Sequence, residues 1–98
     1  MTERLALLAQ VQAKPGNGEQ LAAVLEPARA LAAAETGTVS WYAFRISETR
    51  FGIFDTFDTE QGRQAHLNGE IPAALSQVAD DLLVAAPDIQ LVDIIATK

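Results

Sequence analysis

A chain of 98 residues has the size of one small domain, and 49% of it is hydrophobic against 20% charged and 6% aromatic, a composition that suits a globular fold. Its formal net charge of −6 argues against nucleic acid and anionic membrane surfaces as partners. With no cysteine and a single histidine, disulfides and thiolate nucleophiles are excluded, and the usual His/Cys metal clusters are not expected.

Residues 4–14, RLALLAQVQAK, alternate well enough to read as a strand. Leu5, Leu7, Ala9, Val11 and Ala13 share one face; Arg4, Ala6, Leu8, Gln10, Gln12 and Lys14 share the other. Pro15-Gly16 ends it. Asn17 is placed to cap a helix, with Gln20 as its capping-box partner. Leu21, Val24, Leu25, Ala28, Leu31 and Ala32 follow at helical spacing. Pro27 must kink or restart that helix, because it lacks an N–H and clashes with the preceding turn. Gly37 is expected to close it.

Residues 38–46 and 50–57 read as a hairpin around Ser47-Glu48-Thr49. Asp58 is the expected cap of a short helix that Asn68-Gly69 interrupts. Pro72 suits the first turn of the next helix, whose stripe is Ala74, Leu75, Val78, Ala79, Leu82 and Leu83, with Pro87 as its stop. Residues 89–96, IQLVDIIA, are the last strand. No repeat or linker interrupts this order, so residues 1–98 read as one domain. No apolar run reaches the roughly 18 residues of a membrane span, and MTERLALLAQVQAKPG lacks the basic start and cleavage site of a signal peptide; a cytoplasmic protein is expected.

The order β-α-β-β-α-α-β points to a ferredoxin-like α+β sandwich, a four-stranded antiparallel sheet with helices on one face. A hairpin centred on Glu48 pairs Trp41 with Asp55, Val39 with Phe57, Ala43 with Ile53 and Arg45 with Phe51. On the opposite face it pairs Tyr42 with Phe54, Ser40 with Thr56 and Phe44 with Gly52. Both faces are apolar, and one helix layer covers only one of them. A homodimer stacking sheet on sheet would cover the other.

"AKPG" at 13–16, "GTVSWYAFR" at 37–45, "FGIFDTF" at 51–57 and "HL" at 66–67 follow one another in order. This set, which extends over almost the whole chain, resembles the antibiotic biosynthesis monooxygenase domain, including its quinol monooxygenase branch. The resemblance implies a dimeric α+β barrel. It also implies oxidation of a small quinol or phenolic substrate by O₂ without metal, flavin or other cofactor. Two positions depart from the family pattern: Asp55 stands where a Glu is usual, and Phe57 where a Trp is usual. The first strand also lacks the Asn that haem-degrading relatives use, so haem degradation is not expected.

Cofactor-free oxygenation requires a positioned electron-rich substrate, a group that removes a proton, and an apolar site. His66 is the candidate base, its ordinary pKa lying near working pH; otherwise it is a surface histidine stabilised at a helix C-terminus. Gly62, one turn earlier, would leave space beside it. Asp55, unusual in mid-strand, would orient His66, or else pair with Arg45 or Arg63. Trp41 would stack on the substrate or donate its indole N–H, or else belong to the core. Arg45 would hold an anionic oxygen or solvate a strand end. Phe51, Ile53 and Phe57 would line a pocket or fill the core. Tyr42, Phe44 and Phe54 are assigned to the dimer interface. Asp80-Asp81 reads as a solvated helix edge, since neighbours on a helix do not face each other. "KPGNGE" reads as a turn and cap, lacking the spacing of a phosphate loop. The competing expectations are a non-catalytic dimeric module binding a small aromatic ligand, and a stress-response barrel without an open site.

Overall fold

The computed structural model describes residues 4–98. Its elements are β1 (Leu5–Gln12), α1 (Gly18–Leu25), α2 (Ala28–Ala34), β2 (Thr38–Arg45), β3 (Arg50–Phe57), α3 (Glu60–Leu67), α4 (Glu70–Leu82) and β4 (Asp88–Asp93). All strand pairs are antiparallel, in the order β2-β3-β1-β4. This is the ferredoxin-like α+β arrangement expected from the element order.

Local chemistry explains the element boundaries. After β1 the chain turns at Gly16, whose φ of 85° needs a glycine. Pro27 does restart the helix: α1 ends at Leu25 and Pro27 becomes the N-cap of α2. Three expected boundaries move, and one expected cap does not form. Asn17 occupies the N-cap of α1, but its side chain makes no capping bond, so the capping box with Gln20 does not form. Thr59, not Asp58, caps α3, its hydroxyl accepting from Gly62 N–H at 3.0 Å. Glu35, not Gly37, ends α2, because its backbone turns extended there (φ −82°, ψ 116°). And α4 stops at Leu82, well before Pro87. Leu83 swings out to bridge Ala13, and Val84 N–H donates to Gln12 O at 2.9 Å.

The hairpin register is the expected one at six positions, from Ser40–Thr56 through Trp41–Asp55 to Arg45–Phe51. Val39 is the exception. Thr38, not Val39, faces Phe57, because a β-bulge interrupts the ladder between Thr38 and Ser40. Phe44 does lie over Gly52. A Cβ at residue 52 would come 2.4 Å from the ring, so any other residue there would displace Phe44.

The core lies between the sheet and the helices. Leu21 and Leu25 of α1, Ala28 and Ala32 of α2, and Ile71 and Leu75 of α4 pack with Val11, Phe51 and Ile53. Each large side chain buried there contributes about 1.5–3 kcal/mol. Arg63 ties α3 to the sheet: Nη1 donates to the carbonyls of Ala6 and Val92 at 3.3 Å each, while Nε donates to Glu60 at 3.0 Å. β4 ends at Asp93, short of the expected 96, and no helix covers its outer half; Ile89 and Leu91 stay exposed on the helix side. On the other face of the sheet Tyr42 is 60% exposed and Phe44 39%.

Candidate functional site

His66 lies on the inner side of α3, its ring tilted against Phe57 with centroids 5.5 Å apart. It is buried, and a carboxylate faces each of its ring nitrogens. Nδ1–H donates to Glu35 Oε1 at 2.6 Å. Nε2 stands 2.9 Å from Asp55 Oδ2. That second contact is an ion pair, and Oδ1 of Asp55 has no hydrogen-bond partner among the described residues. Asp55 is 1% exposed. Burying an unpaired carboxylate is expensive, and the imidazole beside it offsets that cost only if it carries a proton. Burial by itself would lower the affinity of His66 for that proton. Contact with Asp55 and Glu35, and the charge of both, outweigh burial and raise its pKa above 6.5. The ring is held between two carboxyl groups that strengthen its hold on a second proton.

The raised pKa has a stability consequence with a definite sign. A histidine that holds its proton more tightly when folded contributes fully below its unfolded value of about 6.5, and the contribution disappears as pH rises through the folded value. Thermal unfolding is expected to show a melting temperature that falls from about pH 6.5 upward. Glu35→Gln is expected to flatten that fall. An equal slope in both proteins would mean that Glu35 does not hold the His66 proton.

Asp55 and His66 form the polar end of a pocket between the sheet and the α3–α4 helices. Leu7, Ile53, Ile71 and Leu75 supply apolar walls, and Pro87 and Ile89 stand beside the uncovered β4. Its volume is about 100 Å³, smaller than the roughly 150 Å³ cavity that holds a benzene in a protein interior. The pocket takes a short chain or the edge of a ring, with the rest of a ligand outside. An apolar body with one hydrogen-bond donor suits it, the donor meeting Asp55.

Of the residues singled out in the sequence, Asp55, His66 and Ile53 meet in this pocket. The others do not reach it. Trp41 faces Asp55 across the strands, but it packs against the core and lines a separate hollow beside α2 with Arg29 and Ala32. Phe57 is fully buried beneath His66 and supports the ring rather than lining the pocket. Arg45 and Phe51 pair at the hairpin end of the sheet, roughly 13 Å along β3 from Asp55. There Arg45 stacks over Phe51 at 4.9 Å and pairs with Glu19 at 2.9 Å. Neither Arg45 nor Arg63 pairs with Asp55; His66 takes that position.

Gly62 has a different purpose from the expected one. Its Cα packs against Gly37, and a Cβ on Gly62 would stand 2.9 Å from Gly37 O. The contact lets α3 approach the α2–β2 loop closely enough for His66 to reach Glu35. Gly62→Ala adds helix propensity of about 1 kcal/mol, but it meets backbone that cannot rotate away, and overpacking of this kind costs about 1–3 kcal/mol. A lower urea midpoint at unchanged slope is expected. A stabilised variant would remove the close contact from the account.

Glu35 was not legible as a site residue. It lies 31 positions from His66 and reads as an ordinary charged residue at a helix end. The one local signal is Thr38, three residues on, whose hydroxyl donates to Glu35 Oε1 at 2.7 Å.

The sheet, the helix layer and the pocket between them define a ferredoxin-like α+β fold of the antibiotic biosynthesis monooxygenase type. A solved structure that carries that name matches with a TM-score of 0.80 at 14% identity, covering 94% of this chain and 99% of its own. A protein from Pseudomonas aeruginosa matches with a TM-score of 0.82 at 24% identity, covering 98% of each chain. A protein of unknown function from Nitrosomonas europaea is 46% identical, with a TM-score of 0.96, covering 99% of this chain and 94% of the other. The chain belongs to the family of that Nitrosomonas europaea protein. No family model matches the sequence, and no curated protein matches it.

Proposed function

We propose that the protein is a cofactor-independent monooxygenase that oxidises a small quinol or phenol with O₂. The observation that carries this reading is Asp55: a carboxyl group buried in mid-strand at the end of an apolar pocket, 2.9 Å from a His66 imidazole whose proton affinity it raises. A substrate hydroxyl pointing into the pocket donates to Asp55. Its O–H bond breaks and the proton goes to the carboxylate. The anion gives an electron to O₂, and the two radicals join at a ring carbon as a C–OO⁻ adduct. The adduct takes the proton back from Asp55, and O–O cleavage with loss of water leaves one oxygen atom on a quinone-level product. Asp55 is the base in this scheme, because both ring nitrogens of His66 already face carboxylates and offer no free lone pair. The His66 cation offsets the negative charge on the substrate as it forms. The apolar walls keep water from that anion.

Oxygen uptake measured with a panel of single-ring hydroquinones and phenols tests the reading. Acceleration of at least one substrate above its own autoxidation is expected, with loss in His66→Ala. Unchanged autoxidation across the panel overturns the enzymatic reading and favours the non-catalytic ligand-binding module.

The same reading includes a second copy of the chain. Tyr42 and Phe44 stand on the face of the sheet opposite the helices with Phe54, and sheet-on-sheet pairing would remove them from water. Light scattering at micromolar concentration is expected to give twice the chain mass. A single monomer peak would rule the dimer out.

A further inference from the structure

Two openings meet at His66. The first is the apolar pocket, where Nε2 stands against Asp55. The second is a hollow on the β2 side of α3, walled by Glu35, Thr36, Gly37, Thr38 and Gly62. His66 is the one residue common to the two linings. Three titratable groups therefore stand in line: Asp55 at the pocket, His66 between, and Glu35 at the outer hollow, with separations of 2.9 and 2.6 Å. Asp55 is 1% exposed at the end of the pocket, whereas the Glu35 side chain is 22% exposed.

We propose that Glu35 is the outer end of a proton path, and that His66 exchanges its proton with solvent through Glu35 rather than through the pocket. The inference rests on the reading of the pocket as a ligand site, but not on the oxidation chemistry. Each transfer is short. The Nδ1–H bond of His66 breaks as the Oε1–H bond of Glu35 forms, and water in the outer hollow then takes that proton. The reverse sequence recharges the ring. Thr38 keeps the path aligned, since its hydroxyl donates to the same Oε1 that faces Nδ1. The charged groups acting on His66 are Asp55 from β3 and Glu35 from the end of α2. The pocket residues that α4 and β1 contribute, Ile71, Pro72, Leu75, Ser76, Leu7 and Ala9, are uncharged.

The arrangement separates two tasks. A ligand filling the pocket covers Asp55 and excludes water, which would trap the charge of His66 if the pocket were its only outlet. With an outlet on the other side of α3, the wall of an occupied pocket still equilibrates with bulk pH. Glu35 is in this sense a positioning residue: it touches no ligand and acts through His66.

The lone histidine makes the test direct, because its ring Hε1 signal in NMR belongs to one residue. Titrations would follow that signal in the wild type, Glu35→Gln and Thr38→Val, with and without saturating phenol. Glu35→Gln is expected to lower the midpoint by about one pH unit, a tenfold loss of proton affinity. Thr38→Val, which keeps the shape of the side chain, is expected to lower it by less, and it supplies the answer if Glu35→Gln does not fold. With phenol bound, the wild-type ring is expected to remain in fast exchange with solvent. An unmoved midpoint in Glu35→Gln and Thr38→Val overturns the proposal, as does phenol that halts the titration of the wild type. A protein that shows the expected titrations yet leaves hydroquinone autoxidation unchanged would retain the proton path and lose only the oxidation chemistry.

Discussion

Asp55→Asn is expected to slow oxidation of a responsive hydroquinone by roughly 10²–10⁴-fold, the range supplied by a positioned proton acceptor. The substitution keeps the volume of the side chain and removes the negative charge. An amide next to His66 cannot take a proton from a hydroxyl. Removing one of the two carboxylates around the ring also leaves Glu35 as its sole anionic partner, so the His66 titration midpoint should fall in the same variant. The two readouts separate two roles. If the midpoint falls while the oxidation rate holds, Asp55 sets the charge of His66 but is not the base.

Phe57→Ala is expected to destabilise the protein by about 3–5 kcal/mol, the usual cost of emptying a fully buried phenylalanine site. Phe57 is 0% exposed. A domain of this size has about 5–15 kcal/mol of total stability, so the loss takes from about a fifth to all of it. The site should suffer with the fold, since the Phe57 ring is what His66 leans against. Phe57→Leu refills most of the volume and should recover most of the stability. A denaturant titration of both variants checks the order. Equal midpoints for Ala and Leu would mean that the site collapses around the gap, and that Phe57 is not the support of the imidazole.

These expectations draw on features of different legibility. The hairpin pairing of Trp41 with Asp55 and of Phe44 with Gly52 could be read directly, because a short loop sets a register and a side-chain period of two assigns each face. The restart of the helix at Pro27 was equally plain, since a missing N–H acts on its own turn. One step further out, local pattern and structure part. An ideal ladder sets Val39 opposite Phe57, and the bulge puts Thr38 there. Asp58 and Thr59 are both capping types, and the entry of the chain into α3 chooses Thr59. Trp41 shares a face with Asp55. Shared face does not mean shared pocket: Trp41 lies on the edge strand β2 beside α2, while the pocket opens toward β1 and β4.

The sequence by itself determined the elements, their order, the register of the central hairpin and the unusual carboxylate in the middle of a strand. Those follow from periodicity and from chain breakers, which act over a few residues. Only the tertiary structure decided what His66 touches. Its second carboxylate arrives from the end of α2, 31 residues away, and it arrives because Gly37 and Gly62 let two stretches of backbone meet without side chains between them. No local pattern encodes that approach. It depends on the close packing of α3 against the loop before β2, and that packing sets the ring of the candidate base between Asp55 and Glu35.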